Sequence, residues 1–133
     1  LSLPALTRSQ KIQSRVASVG FDWPNIAGVF DKLTEEIGEL REAVSPDEQR
    51  LELGDILFVV ANLAQWLGIE AESALREAND RFSRRFQGVE QLIADRGLNW
   101  NELSFPEMDI LWEEAKASLA NSDPGDKVGG ESV

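Results

Sequence analysis

The sequence contains no cysteine and no histidine. Without cysteine there can be no disulfides, thiolate zinc ligands or cysteine nucleophile, and the redox compartment cannot be read. Without histidine, zinc-hydrolase sites and Ser-His-Asp chemistry fall away. Oxygen ligation of a hard cation, Mg²⁺ or Mn²⁺, stays open. Positive charge is scarce: 13 Lys and Arg stand against 24 Asp and Glu, a formal net charge of -11. Such a surface repels nucleic-acid backbones and anionic membranes, so neither is expected as a partner. A small anionic substrate would be repelled too, unless metal ions or local arginines reverse the field at its site. No signal peptide is expected, no apolar run is long enough to span a bilayer, and a cytoplasmic location is expected.

What is present is enough for a core. The chain has 133 residues, 42% of them apolar, which suits one domain and exceeds the apolar share of a disordered acidic chain. The body reads as helix throughout, and the fold class expected is all-α. Thr7 with Gln10 forms a candidate capping box for a first helix that ends at Gly20. A loop with Pro24 follows. Ile26, Val29, Phe30, Leu33, Ile37, Leu40 and Val44 then recur at helical spacing. Ser45-Pro46-Asp47-Glu48 is the clearest boundary, with Ser as N-cap, Pro at the first helical position and Glu three residues after the cap. The next helix carries Leu53, Ile56, Leu57, Val60, Leu63 and Leu67, and stops at Gly68. A fourth is expected from about Glu70 to Arg96, with Phe82 and Phe86 in its core face and Gly97 as its stop. Ser104-Phe105-Pro106-Glu107 repeats the start signal and opens a shorter helix. Residues 1–120 are expected to form the domain, and 121–133 a disordered tail.

Two acidic pairs carry the chemistry. Glu36/Glu39 and Glu52/Asp55 are each spaced i, i+3 and lie equidistant from the Ser45-Pro46 turn. Folded back as antiparallel helices, the inner acids (Glu39, Glu52) come level, and so do the outer ones (Glu36, Asp55). At ~1.5 Å rise per residue the two levels lie roughly 10 and 14 Å from the turn. Projected around their helices, these acids flank or enter the apolar stripes, whereas Glu35 and Glu42 point further out. Half-buried carboxylates without cations would raise their own pKa values and destabilise the fold. A divalent-metal site is therefore the leading reading, and a solvated acidic face the alternative.

The letters also carry a resemblance. Glu35-Glu36-Ile37-Gly38-Glu39 followed by Glu52-Leu53-Gly54-Asp55 resembles the EExxE and ExxD pair of the MazG family of nucleoside triphosphate pyrophosphohydrolases. The match continues through Ile56-Leu57-Phe58, Asn62-Leu63-Ala64 and Ala78-Asn79-Asp80-Arg81-Phe82-Ser83-Arg84-Arg85-Phe86, and covers roughly residues 5–117. It is similar to the C-terminal domain of longer bacterial members, which accords with a first residue that is not Met. The resemblance implies an antiparallel helical bundle, assembled as a dimer or higher homo-oligomer. It further implies Mg²⁺-dependent hydrolysis of a nucleoside triphosphate to the monophosphate and pyrophosphate. By carry-over, Glu36, Glu39, Glu52 and Asp55 hold the metal, with Glu35 the candidate to orient or deprotonate the attacking water.

Triphosphate binding needs fixed positive charge as well. Lys32, one turn before Glu36, matches the family's lysine, and Arg81 and Arg85 lie i, i+4 on one helix face. Arg81 stands where the family usually has lysine, and Gln65 where relatives often carry arginine. Asn62 is a candidate contact to ribose or phosphate. Trp112 matches a family tryptophan and is a candidate platform for stacking on the base, with core packing the alternative. The competing functional readings are a narrower dUTP or modified-nucleotide pyrophosphatase and a non-enzymatic helical module whose acids bind metal structurally.

Overall fold

The computed structural model describes residues 3–120, so the expected tail lies outside the described residues. Five helices follow in order: α1 (Ala5–Ser18), α2 (Ile26–Glu42), α3 (Pro46–Leu67), α4 (Ala71–Asp95) and α5 (Phe105–Ala120). A 3₁₀ turn, Trp100–Glu102, precedes α5. The described residues contain no strand, and the fold is all-α. No single described helix is long and apolar enough to cross a membrane. The chain divides into two compact units, Leu1–Leu75 and Arg76–Val133.

In the first unit α2 and α1 both pack on α3. Its tightest positions are Val29 and Ala61, both at 0% exposure, joined by Val59 and Ala71. The Ser45 signal works as its letters imply: Ser45 Oγ accepts from the Glu48 amide at 3.2 Å and Pro46 sits in the first helical turn. Gly68 closes α3 with φ of 70°, a left-handed conformation in which a side chain is strained.

The capping box expected at Thr7 and Gln10 does not form. α1 already begins at Ala5 after Pro4, and no side chain caps it. The Gln10 amide is used elsewhere, donating to the Ile69 carbonyl at 2.7 Å and accepting from the Ala71 amide at 2.9 Å. It thus serves one of the open backbone donors at the start of α4.

In the second unit Val89 and Ile93 of α4 meet Leu111, Trp112 and Ala115 of α5, with Leu92, Trp100 and Leu103 packed around them. Ser104 and Glu107 complete a true capping box, each backbone amide donating to the other's side chain at 3.0 and 3.3 Å. Arg96 holds Glu114 through two bonds, 3.1 and 2.5 Å. Phe82 and Phe86, expected in the core, remain 45% and 38% exposed. They instead edge the aromatic cluster, Phe82 against Trp112 at 5.0 Å and Phe86 against Trp100 at 5.5 Å between ring centroids. Leu53 and Leu57 are likewise about half exposed, as are Phe30 and Ile37. The apolar stripes of α2 and α3 are broader than the surface this chain buries.

Candidate metal centre

The turn after α2 decides where the acids meet. α2 ends at Glu42 and α3 starts at Pro46, so the two helices are joined by three residues and run back along each other. Glu36 of α2 reaches Glu52 and Asp55 of α3: a carboxylate oxygen from each lies within 4.8 Å of the others. Glu35, Glu36 and Glu39 form a second such group along α2. Glu36 belongs to both and is the hub, only 5% exposed. Glu52 is half-buried, while Glu35, Glu39 and Asp55 are exposed.

Lys32 brings a cation to the cluster, its Nζ 3.0 Å from Glu36 Oε1 and 3.6 Å from Glu35 Oε1. That hydrogen bond is the main cause holding the Glu36 carboxyl below its ordinary range, against the opposing effect of burial. Glu52 moves the other way. Burial first, then the facing Glu36 and Glu39 carboxylates, push it up to about 7. Both Glu36 Oε2 and Glu52 Oε2 are buried with no hydrogen-bond partner. Two orphaned carboxylate oxygens on facing helices, with a third carboxylate beside them, form a donor set suited to a hard divalent cation. The residues present fit Mg²⁺ or Mn²⁺.

The remaining sequence candidates divide between the units. Asn62 is half-buried on α3, two turns beyond Asp55, and lines a pocket with Gln13 of α1 and Trp23 of the α1–α2 loop. Arg81, Arg85 and Trp112 belong to the second unit. There Arg81 is half-buried, Arg85 is 6% exposed, and Trp112 is 9% exposed and packed on Phe82. Gln65 is exposed on α3. Two features escaped the sequence reading. Lys116, 8% exposed, buries an ammonium with no hydrogen-bond partner one turn after Trp112. Gln13, 8% exposed, does the same with an amide oxygen. Helical spacing would place both on buried faces, but nothing in their letters separates them from surface residues.

A family model for the MazG nucleotide pyrophosphohydrolase domain matches residues 27–89. That span holds Lys32, the four acids, Asn62, Arg81 and Arg85. Among curated proteins, the chain is 48% identical over 121 residues to a "nucleoside triphosphate pyrophosphohydrolase" of Escherichia coli (strain K12), covering 86% of this chain and 46% of the relative. It is 44% identical over 114 residues to "nucleoside triphosphate pyrophosphohydrolase/pyrophosphatase MazG" of Thermotoga maritima, covering 86% and 45%. It is 42% identical over 80 residues to the uncharacterized protein YabN of Bacillus subtilis, covering 59% and 16%. The chain thus spans about half the length of the first two relatives or less. With the acid motifs, the all-α fold and these likenesses in agreement, the chain belongs to the MazG family.

Proposed function

We propose that this chain hydrolyses a nucleoside triphosphate, ribo or deoxy, to the monophosphate and pyrophosphate, in nucleotide-pool housekeeping. The observation that carries this reading is the convergence of Glu36, Glu52 and Asp55 across two helices, with two buried carboxylate oxygens lacking partners. The names of the Escherichia coli and Thermotoga relatives support the same reaction.

Glu36, Glu39, Glu52 and Asp55 would hold Mg²⁺, with Mn²⁺ a competent substitute. The bound ion supplies charge neutralisation at the phosphates and a water of lowered pKa. Lys32, already bonded to Glu36, keeps that carboxylate ionised and oriented. Glu35, exposed and 3.6 Å from Lys32 Nζ, is the proposed acceptor of a proton from the attacking water. Arg81 and Arg85 are the phosphate-binding candidates of the second unit, Trp112 its candidate for the base, and Asn62 a sugar or phosphate contact of the first. The half-exposed apolar residues Phe30, Ile37, Leu53 and Leu57 support a homodimer or higher homo-oligomer. The net charge of -11 argues against nucleic-acid polymers and anionic membranes as partners and suits a cytoplasmic enzyme of small nucleotides.

The test is Glu52→Gln beside the unaltered chain, each followed for nucleotide turnover and for Mg²⁺-dependent thermal stability. At 100 times its dissociation constant, Mg²⁺ should raise the Tm of the unaltered 133-residue chain by about 10 °C. The variant should fold, lose most of that shift, and lose turnover by at least about 100-fold. A variant that retains full turnover sinks the assignment. Loss of the Tm shift in a chain that hydrolyses no nucleotide would favour a structural metal site.

A further inference from the structure

Helix α1 holds α3 through glutamine side chains that bond to backbone, and one of them does so at a cost to the fold. Gln13 is only 8% exposed, yet its Nε2 donates to the Phe58 carbonyl at 3.1 Å and shares a 2.9 Å bond with Ser9 Oγ. Its Oε1 is buried with no partner. The amide cannot be turned round, because a flip would set its oxygen against the Phe58 carbonyl oxygen. Gln10, one turn earlier, uses both ends of its amide, on Ile69 and Ala71.

A hydrogen bond between neutral groups gains little over water, whereas a buried acceptor without a donor is costly. Phe58 lies inside α3, so its carbonyl accepts from its own helix, and the bond from Gln13 takes the second lone pair. An apolar side chain of the same length would remove the orphaned oxygen and leave Phe58 with its helix partner. For stability alone, then, glutamine is a poor residue at this place. Positions that break a local rule in this way are expected where function requires it.

What the bond does fix is the position of α3. Phe58 is three residues beyond Asp55 and six beyond Glu52, so both acids lie between it and the Ser45 cap. Glu36, Glu52 and Asp55 bring carboxylate oxygens within 4.8 Å of one another, and like charges at that range push α2 and α3 apart until a cation enters. Apolar packing at Val59 and Ala61 opposes this but is non-directional, whereas a hydrogen bond weakens steeply when its length or angle changes. The bond from Gln13 can therefore hold α3 to within about 0.5 Å, the tolerance that a preorganised site requires.

We propose that Gln13 is a positioning residue for the acid cluster, its bond to the Phe58 carbonyl holding Glu52 and Asp55 opposite Glu36 before a cation arrives. The assignment rests on the reading of that cluster as a divalent-metal site and deepens it. Gln13 acts through the backbone of α3 and supplies no ligand atom itself.

The test titrates Mn²⁺ alone, without nucleotide, into the full chain, Gln13→Met and Gln10→Leu, with binding followed by electron paramagnetic resonance. Methionine is close to glutamine in length and helix propensity and carries no donor. Gln13→Met should bind Mn²⁺ about fivefold more weakly, the affinity equivalent of one net hydrogen bond. Metal-free, the same variant should unfold at a urea midpoint equal to or above that of the unaltered chain, since an orphaned acceptor is gone. A role in stability alone predicts the reverse, a lower midpoint with unchanged affinity. Gln10→Leu, which breaks the bridge beyond the far end of α3, should lower the midpoint and leave Mn²⁺ affinity unchanged. Equal Mn²⁺ binding by Gln13→Met and the unaltered chain overturns the assignment. So does an equal loss in Gln10→Leu, which would trace the effect to α1 as a whole. Should Gln13→Met misfold, NMR of the unaltered chain decides. Its Gln13 side-chain amide should be slow to exchange without metal and hold its resonance positions when Mg²⁺ is added; a freely exchanging amide in the metal-free chain overturns the preformed bond. If the unaltered chain binds no Mn²⁺, the metal-site reading falls and this role with it. If it binds Mn²⁺ and Gln13→Met binds equally, the metal site stands and the role of Gln13 alone falls.

Discussion

Gly28→Ala sets helix propensity against packing in the first unit. The added Cβ would lie 2.7 Å from Trp23 Cε3 and 3.1 Å from Cδ2. Carbon atoms rest at about 3.5–4.0 Å, so the ring must retreat by about 1 Å. Two opposing effects set the stability. Alanine in place of glycine inside a helix gains up to about 1 kcal/mol, while overpacking costs typically about 1–3 kcal/mol. Trp23 sits on a loop and is 39% exposed, so the ring has somewhere to go and the cost falls at the low end. The net change should stay within about 1 kcal/mol, read from the urea midpoint at constant slope. Gly38→Ala is the control in the same helix. Its Cβ would meet nothing within 4 Å, so it should approach the full helix-propensity gain. A loss of several kcal/mol in Gly28→Ala would refute the view that the Trp23 ring can yield.

Two further perturbations address the scaffold. Ser45→Ala removes the acceptor for the Glu48 amide and should cost about 1 kcal/mol in urea unfolding, with weakened Mg²⁺ binding because this cap starts the helix carrying Glu52 and Asp55; unchanged stability would mean the cap is dispensable. Gln10→Leu strips the amide bridge to Ile69 and Ala71 and should cost about 1–3 kcal/mol, with faster hydrogen exchange at the Ala71 amide. An Ala71 amide as protected as before would contradict the bridge.

How much of this was legible in the letters varies with the kind of interaction. The approach of Glu36 to Asp55 was readable because one strong turn, Ser45-Pro46, sets the register of two helices on either side of it, whereas the grouping of Glu52 with Glu36 was not, since register set Glu52 level with Glu39. Local signals of the same sort located the Ser104–Glu107 box and the stop at Gly68. What depended on distant partners was not readable. Gln10 looked like half of a local box, but its amide joins residues 59 and 61 positions away. Nothing in the spacing set Glu36 apart as the buried hub, because its depth comes from α3 packing over α2. Periodicity reports which face is apolar and not whether this chain covers it: on α3 the buried residues are Val59 and Ala61, while Leu53, Leu57, Val60 and Leu67 of the expected stripe stay exposed. Phe82 and Phe86 show the difference.

The central claim is the bond that breaks. A nucleoside triphosphate incubated with the chain and Mg²⁺, its phosphorus products followed by NMR from the first turnovers, should yield monophosphate and pyrophosphate in equal amounts. Diphosphate and orthophosphate as the initial products would contradict the account.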